Sequence, residues 1–370
     1  MTAPSLSIGI EEEFQVIDPV TRELRSHVAE IFRSAEGAKP ELHQPVVELG
    51  TAVCANIAEA RREVRALRTN LALLARENGL RIAAAGTHPF SHWADVPISE
   101  GNPRYERLIH DLQMVARANL IFGLHVHVGV EDRDMQIQIM NQARYFLPHI
   151  LALSVNSPFW LGRDTGWMSY RCKVFDKFPR TNIPDFYSSY AEYQQFVNLL
   201  VKTRCILDGG QIWWDVRPHA RYATLEYRIC DIPLRYEETL TIAALFQAIT
   251  AKLALLRLRN LSFRPYRRAL IMENKWRAAR WGTKALLIDF GKEEEVPHAS
   301  LLDELLEFVD EVLDPLGSRA QCEKAREIVA QGTGAARQLE VYRKTGDLKS
   351  VMDFVVQETE VGLDVPAVRT

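Results

Sequence analysis

Three glutamates in a row stand where a buried strand should be apolar. Glu11, Glu12 and Glu13 interrupt residues 6–17, a run otherwise rich in apolar and β-branched side chains that closes on the turn residues Asp18 and Pro19. Strand side chains alternate, so Glu11 and Glu13 share one face and Glu12 points to the other. Two carboxylates at neighbouring same-face positions repel unless a cation or an arginine lies between them. For a lone Glu-x-Glu the plain alternative is a solvent-facing strand surface, where acidic residues ordinarily sit.

The pattern recurs, which weakens that alternative. Residues 42–49 read as a second strand carrying Glu48 inside Pro-Val-Val-Glu-Leu-Gly-Thr. Glu41 lies seven residues before it, and a regular strand would put the two on opposite faces. In Thr224-Leu225-Glu226-Tyr227-Arg228-Ile229, Glu226 and Arg228 share a face and alternate with apolar neighbours. An isolated pair of this kind is equally well read as a simple surface ion pair. Gly123-Leu124-His125-Val126-His127-Val128-Gly129 puts both histidines on one strand face. Several strands bringing carboxylates and a histidine to one face point to hard divalent cations, which take oxygen ligands and complete their shells with water and phosphate. Arginines beside them bind phosphate or carboxylate oxygens in bidentate fashion.

Composition excludes other classes. Of 370 residues, 47% are hydrophobic and 25% charged, which is the make-up of a globular protein. The net charge of -3 leaves no global basic field for nucleic acid. The five cysteines are scattered and form no C-x-x-C pair, so a disulfide framework or structural zinc site is not expected and a reducing cytoplasm is. The longest apolar stretch, 239–258, contains Gln247 and Lys252 and reads as a buried helix, so no membrane partner is expected. Neither a G-x-x-x-x-G-K-[ST] loop nor a G-x-G-x-x-G after the first strand occurs, so any nucleotide is held by metals and arginines on a sheet.

Helical periodicity predicts helices over 57–78, 103–119, 133–151 and 190–204, with further strands at 81–85, 121–130, 211–217 and 223–229. Residues 237–360 read as mostly helical. Strands with inserted helices followed by a helical tail argue α+β with a largely antiparallel sheet, helices packed on one side, in a single catalytic domain over 1–370. Residues 156–188, rich in proline, glycine, arginine and aromatics, read as an active-site loop. Its Trp160, Trp167, Tyr170 and Phe175 are candidates either to line a pocket or to pack beneath a lid.

Ser-Ile-Gly-Ile-Glu-Glu-Glu-Phe, Val-Val-Glu-Leu-Gly-Thr, Gly-Leu-His-Val-His-Val-Gly, Trp-Met-Ser-Tyr-Arg and Thr-Leu-Glu-Tyr-Arg-Ile-Cys-Asp are all present. Together they resemble the carboxylate-amine ligase family known as type 2 glutamate-cysteine ligase, over nearly the whole chain. The resemblance implies a glutamine-synthetase-like fold, ATP with Mg2+ (or Mn2+), a homodimer, and small-molecule substrates: glutamate and an amine such as cysteine. It implies activation of the γ-carboxylate as an acyl phosphate, then displacement of phosphate by the amine. By position it assigns metal binding to Glu11, Glu13, Glu41, Glu48 and Glu226, and phosphate contact to His125. Arg228 is matched to the transferring phosphate, with Arg171 as a second cationic group. Two alternatives remain at this level: a metal-dependent amide hydrolase built on His125 and His127, and a nucleotide-binding protein of the same fold without turnover.

Overall fold

The computed structural model describes residues 4–26 and 37–366; residues 1–3, 27–36 and 367–370, including both ends of the expected 1–370 domain, lie outside it. Seven strands form the principal sheet: β1 (Ile8–Ile17), β2 (Ala38–Pro40), β3 (Val46–Gly50), β4 (Arg81–Ala83), β5 (Gly123–Gly129), β6 (Val216–Pro218) and β7 (Thr224–Asp231). Their order is β6-β7-β5-β1-β3-β2, with β4 also on β1, and every pairing is antiparallel.

One face of this sheet is the core. Ile8, Ile10, Val126, Val128 and Tyr227 are buried there with side chains of the helices Ile57–Glu77 and Tyr236–Leu258. The Tyr227 ring stacks on Phe246 at 4.2 Å and its hydroxyl meets Thr250 Oγ1 at 2.8 Å. Helix Tyr236–Leu258 is long and apolar enough to cross a bilayer, yet 83% of its most apolar window is buried inside the protein. It is the central core helix, and His298–Leu313, Arg319–Glu323 and Ala325–Gln331 pack around it while Leu348–Thr359 packs on β4.

Glu12 points into this apolar face, as alternation requires, and Arg68 meets it there. Arg68 Nε and Nη2 donate to its two oxygens at 2.9 and 2.6 Å, Thr239 Oγ1 donates at 2.6 Å, and Arg68 is wholly buried. The pair joins β1 to both core helices. Burying a carboxylate is tolerable only with charge and hydrogen bonds in place, and both are.

Several expected elements have different bounds. The second strand begins at Val46, because a turn at 41–45 joins it to β2. Helix 103–119 is broken at Gln113, whose φ of 49° ends Pro103–Leu112 before the short Met114–Arg117. Residues 133–151 split into Arg133–Ala143 and Leu147–Ser154, with a 3-10 turn between them and Pro148 at the start of the second. Residues 156–188 hold the helix Tyr170–Phe175 and a buried lining of Phe159, Trp160, Cys172, Val174, Phe178 and Ile183.

Candidate active site

The other face of the sheet carries the charges. Strand register sets them side by side: Lys39 opposite Glu48, Glu48 opposite Glu13, Glu11 opposite His125, and His127 opposite Glu226, which faces Arg217. A bulge between Tyr227 and Cys230 interrupts the β5–β7 ladder beside Arg228, the kind of irregularity that re-aims a side chain at a site. The charged face opens into a cavity of about 420 Å3 lined by Glu11, Glu13, Glu41, Glu48, His125, Arg171, Glu226 and Arg228, so the residues matched by the family resemblance meet there, whereas His127 does not line it.

Two sets of ligand atoms fall within 4.8 Å of one another, Glu11 with His125 and Glu226, and Glu13 with Glu48 and His125. His125 is common to both, whereas His127 belongs to neither among the described residues; its Nδ1 lies 3.1 Å from Thr224 Oγ1. Burial and the Arg228 guanidinium hold His125 below its ordinary value, so the ring is neutral and able to act as a ligand. Glu41 and Glu48, expected on opposite faces, meet after all. The turn at 41–45 reverses the chain and makes strand alternation irrelevant to Glu41. Enclosure, then the charges of Glu48 and Glu13, push the Glu41 carboxyl well above the usual range; burial and Glu11 push Glu48 up to about 7, against Lys39. Oxygen donors crowded until they retain protons, around a neutral imidazole, fit one or two hard divalent cations.

Glu226 is held differently. Burial alone would raise it, but Arg217 and Arg228 outweigh that and keep it well below the usual range. Arg217 clamps it with Nε and Nη2 at 2.7 and 3.2 Å, and Arg228 Nη1 donates to the same carboxylate. Glu11, likewise, is lowered despite burial by hydrogen bonds from His125 and His127.

Sequence reasoning missed Arg217 and Lys39. Arg217 was legible: the two strands joined by a short polar connection form a hairpin, and its register sets Arg217 against Glu226. Lys39, whose ammonium lies 3.1 Å from Glu48 and 3.6 Å from Glu11, sits on a three-residue strand that carries no periodic signal. Gly123 is covered by Arg171: a Cβ at Gly123 would lie 2.3 Å from Arg171 Nη2. Of the four aromatics in 156–188 considered for the pocket, Phe175 lines it, while Trp160 packs in the core against Tyr170.

The antiparallel sheet backed by helices is a fold shared with a solved glutamate-cysteine ligase and a solved glutathione synthetase. The fold superposes on a glutamate-cysteine ligase of Francisella tularensis solved with AMP, with a TM-score of 0.71 at 14% identity, covering 99% of this chain and 91% of that one. A bifunctional glutathione synthetase of Pasteurella multocida gives 0.70 at 15% identity, covering 96% of this chain and 52% of that one. The chain belongs to the Glutamate-cysteine ligase family 2, whose profile matches residues 7–354. A protein of Solibacter usitatus named "Putative glutamate--cysteine ligase 2" is 60% identical over 98% of this chain and 96% of its own, and one of Sorangium cellulosum bearing the same name is 53% identical over 96% and 97%.

Proposed function

We propose that this protein joins the γ-carboxylate of glutamate to the amine of cysteine or a similar small amine at the expense of ATP, with Mg2+ as the metal and Mn2+ able to replace it. The observation that carries the reading is the convergence of Glu11, Glu13, Glu41, Glu48, His125 and Glu226 with Arg171 and Arg228 around one cavity. A carboxylate is a poor electrophile, so activation as an acyl phosphate is needed before an amine can displace phosphate and leave an amide. Phosphoryl transfer between anions depends on positioning and charge neutralisation.

Glu11, His125 and Glu226 would hold one cation, and Glu13, Glu48 and Glu41 a second. Bound Mg2+ would supply neutralising charge for the triphosphate and the attacking carboxylate. Arg228 acts on the transferring phosphoryl group, with Arg171 adding positive charge beside it, and Arg217 keeps Glu226 ionised and oriented. An adjoining hollow of about 760 Å3, lined by Gly9, Gly50, Gly129 and Tyr222 and sharing Glu11 with the charged cavity, suits the nucleoside. The protein would work as one catalytic unit in the cytoplasm, as a homodimer; light scattering in solution reads the latter directly.

The reading is tested by ADP release from ATP, Mg2+ and glutamate across a panel of amines. Release only with an accepted amine is expected, and folded protein giving none with any amine would overturn it. Glu226→Gln keeps the size but loses the charge; turnover should fall at least about 10²-fold with the fold retained, as for loss of an electrostatic catalytic group.

A further inference from the structure

Asp231 ends the Thr-Leu-Glu-Tyr-Arg-Ile-Cys-Asp segment, and none of the roles above uses it. It is wholly buried at the end of β7, opposite Gly123. Arg68 and Arg217 grip Glu12 and Glu226, but among the described residues the hydrogen-bond donors to Asp231 are all neutral. Asn156 N and Ser157 Oγ donate to Oδ2 at 2.8 and 2.7 Å, and Ser169 Oγ donates to Oδ1 at 2.8 Å. Both hydroxyls work in two directions. Ser157 Oγ accepts the backbone N–H of Arg171 at 3.0 Å, and Ser169 Oγ caps the helix Tyr170–Phe175 at Cys172 N.

Arg171 stands at the second position of that capped helix, and its side chain crosses to the charged face. Its guanidinium lies over Gly123, with long contacts of 3.4 Å to the carbonyls of Ile229 and Arg228, and its buried Nε has no hydrogen-bond partner among the described residues. Weak contacts at the tip leave the backbone as the main determinant of where the guanidinium points. That backbone is pinned from both sides to one carboxylate. Gly86 leaves space for the same group, since a Cβ there would come within 2.8 Å of Asp231 Cγ.

We propose that Asp231, through Ser157 and Ser169, is the positioning device that fixes Arg171 over the phosphoryl-transfer centre. This rests on the proposed role of Arg171, and it assigns Asp231, Ser157 and Ser169 as positioning residues that act through it without touching substrate. A misplacement near 1 Å costs on the order of 10²-fold in rate.

The test is a double-mutant cycle with a second, activity-independent readout. Ser157→Ala and Ser169→Ala are made in the wild-type and Arg171→Met backgrounds, avoiding the folding risk of replacing Asp231. In the wild-type background each should lower kcat by about 10- to 100-fold with KM for ATP little changed, and Ser169→Thr should restore most of the loss. In the Arg171→Met background the same serine changes should add nothing. In parallel, the Arg171 Nε–H resonance, assigned by its absence in Arg171→Met, should shift in both serine variants and return in Ser169→Thr. An unmoved resonance, or losses that simply add in the Arg171→Met background, would overturn the proposal. Wild-type turnover in Arg171→Met alone would instead reject the role given to Arg171, and the resonance would still decide whether the serines position it.

Discussion

At the residue scale, the site depends on how neighbouring charges divide protons among carboxylates of the same chemistry. Glu226 is kept ionised by two guanidiniums, whereas Glu41 and Glu48 are driven the other way by burial beside other acids. Arg217 is the less obvious of the two partners. Arg217→Lys keeps the charge but cannot reproduce the paired Nε and Nη2 contacts, so turnover should fall by about 10-fold or more while unfolding by denaturant changes little. Gly123→Ala tests the other side of the cavity. Its methyl group would occupy the place of the Arg171 guanidinium, a flexible tip that can swing aside, so a loss of turnover with a nearly unchanged melting temperature is expected. Equal loss of stability and activity would point to a collapsed strand end instead.

At the element scale, β1 is read from two sides. Its outward glutamates form the site and its inward Glu12 is the link to the helices Ile57–Glu77 and Tyr236–Leu258 through Arg68 and Thr239. Removing one partner of a buried pair leaves the other charge uncompensated, at a cost of about 3–5 kcal/mol. Arg68→Met should therefore lower the denaturant midpoint markedly, and a double variant with Glu12→Leu should recover much of that loss. Residual activity in folded Arg68→Met would show that β1 keeps its register without the link. Strand alternation made this two-sidedness legible, and helical periodicity found Ile57–Glu77 to within a residue. The break at Gln113 was not legible, because it is set by what the segment packs against; Pro148 inside the helix that follows Arg144–Phe146, and Pro40 and Pro45 around the turn at 41–45, were local signals that could have been read.

At the scale of the whole molecule, the acidic face couples metal, pH and stability. Glu48 titrates near 7 in the folded protein and Glu41 is held well above its ordinary value, while both titrate near 4.3 in an unfolded chain. Between those values the native state holds protons that the unfolded state has lost. The contribution of these groups to stability is thus present below about 4.3 and is lost as pH rises through about 7. Metal-free protein should show this contribution as a falling melting temperature between pH 5.5 and pH 8. Under the proposed metal binding, Mg2+ would remove the repulsion and displace the protons, so the increase in melting temperature on adding Mg2+ should be larger at pH 8 than at pH 6. An increase that is independent of pH would argue that Glu41 and Glu48 are not ligands.

The sequence by itself determined which polar residues are candidates to share a strand face. Carboxylates, histidines and arginines placed at alternate positions of apolar strands can share a face, and alternation is a local property of the backbone. Tertiary structure alone decided which strands are neighbours, and therefore that Glu48 faces Glu13, that Glu41 joins it across a turn, that Lys39 enters the site, and that Asp231 lies behind Arg171. Register and loop reversal arise from contacts between residues far apart in the chain. No single segment carries that information.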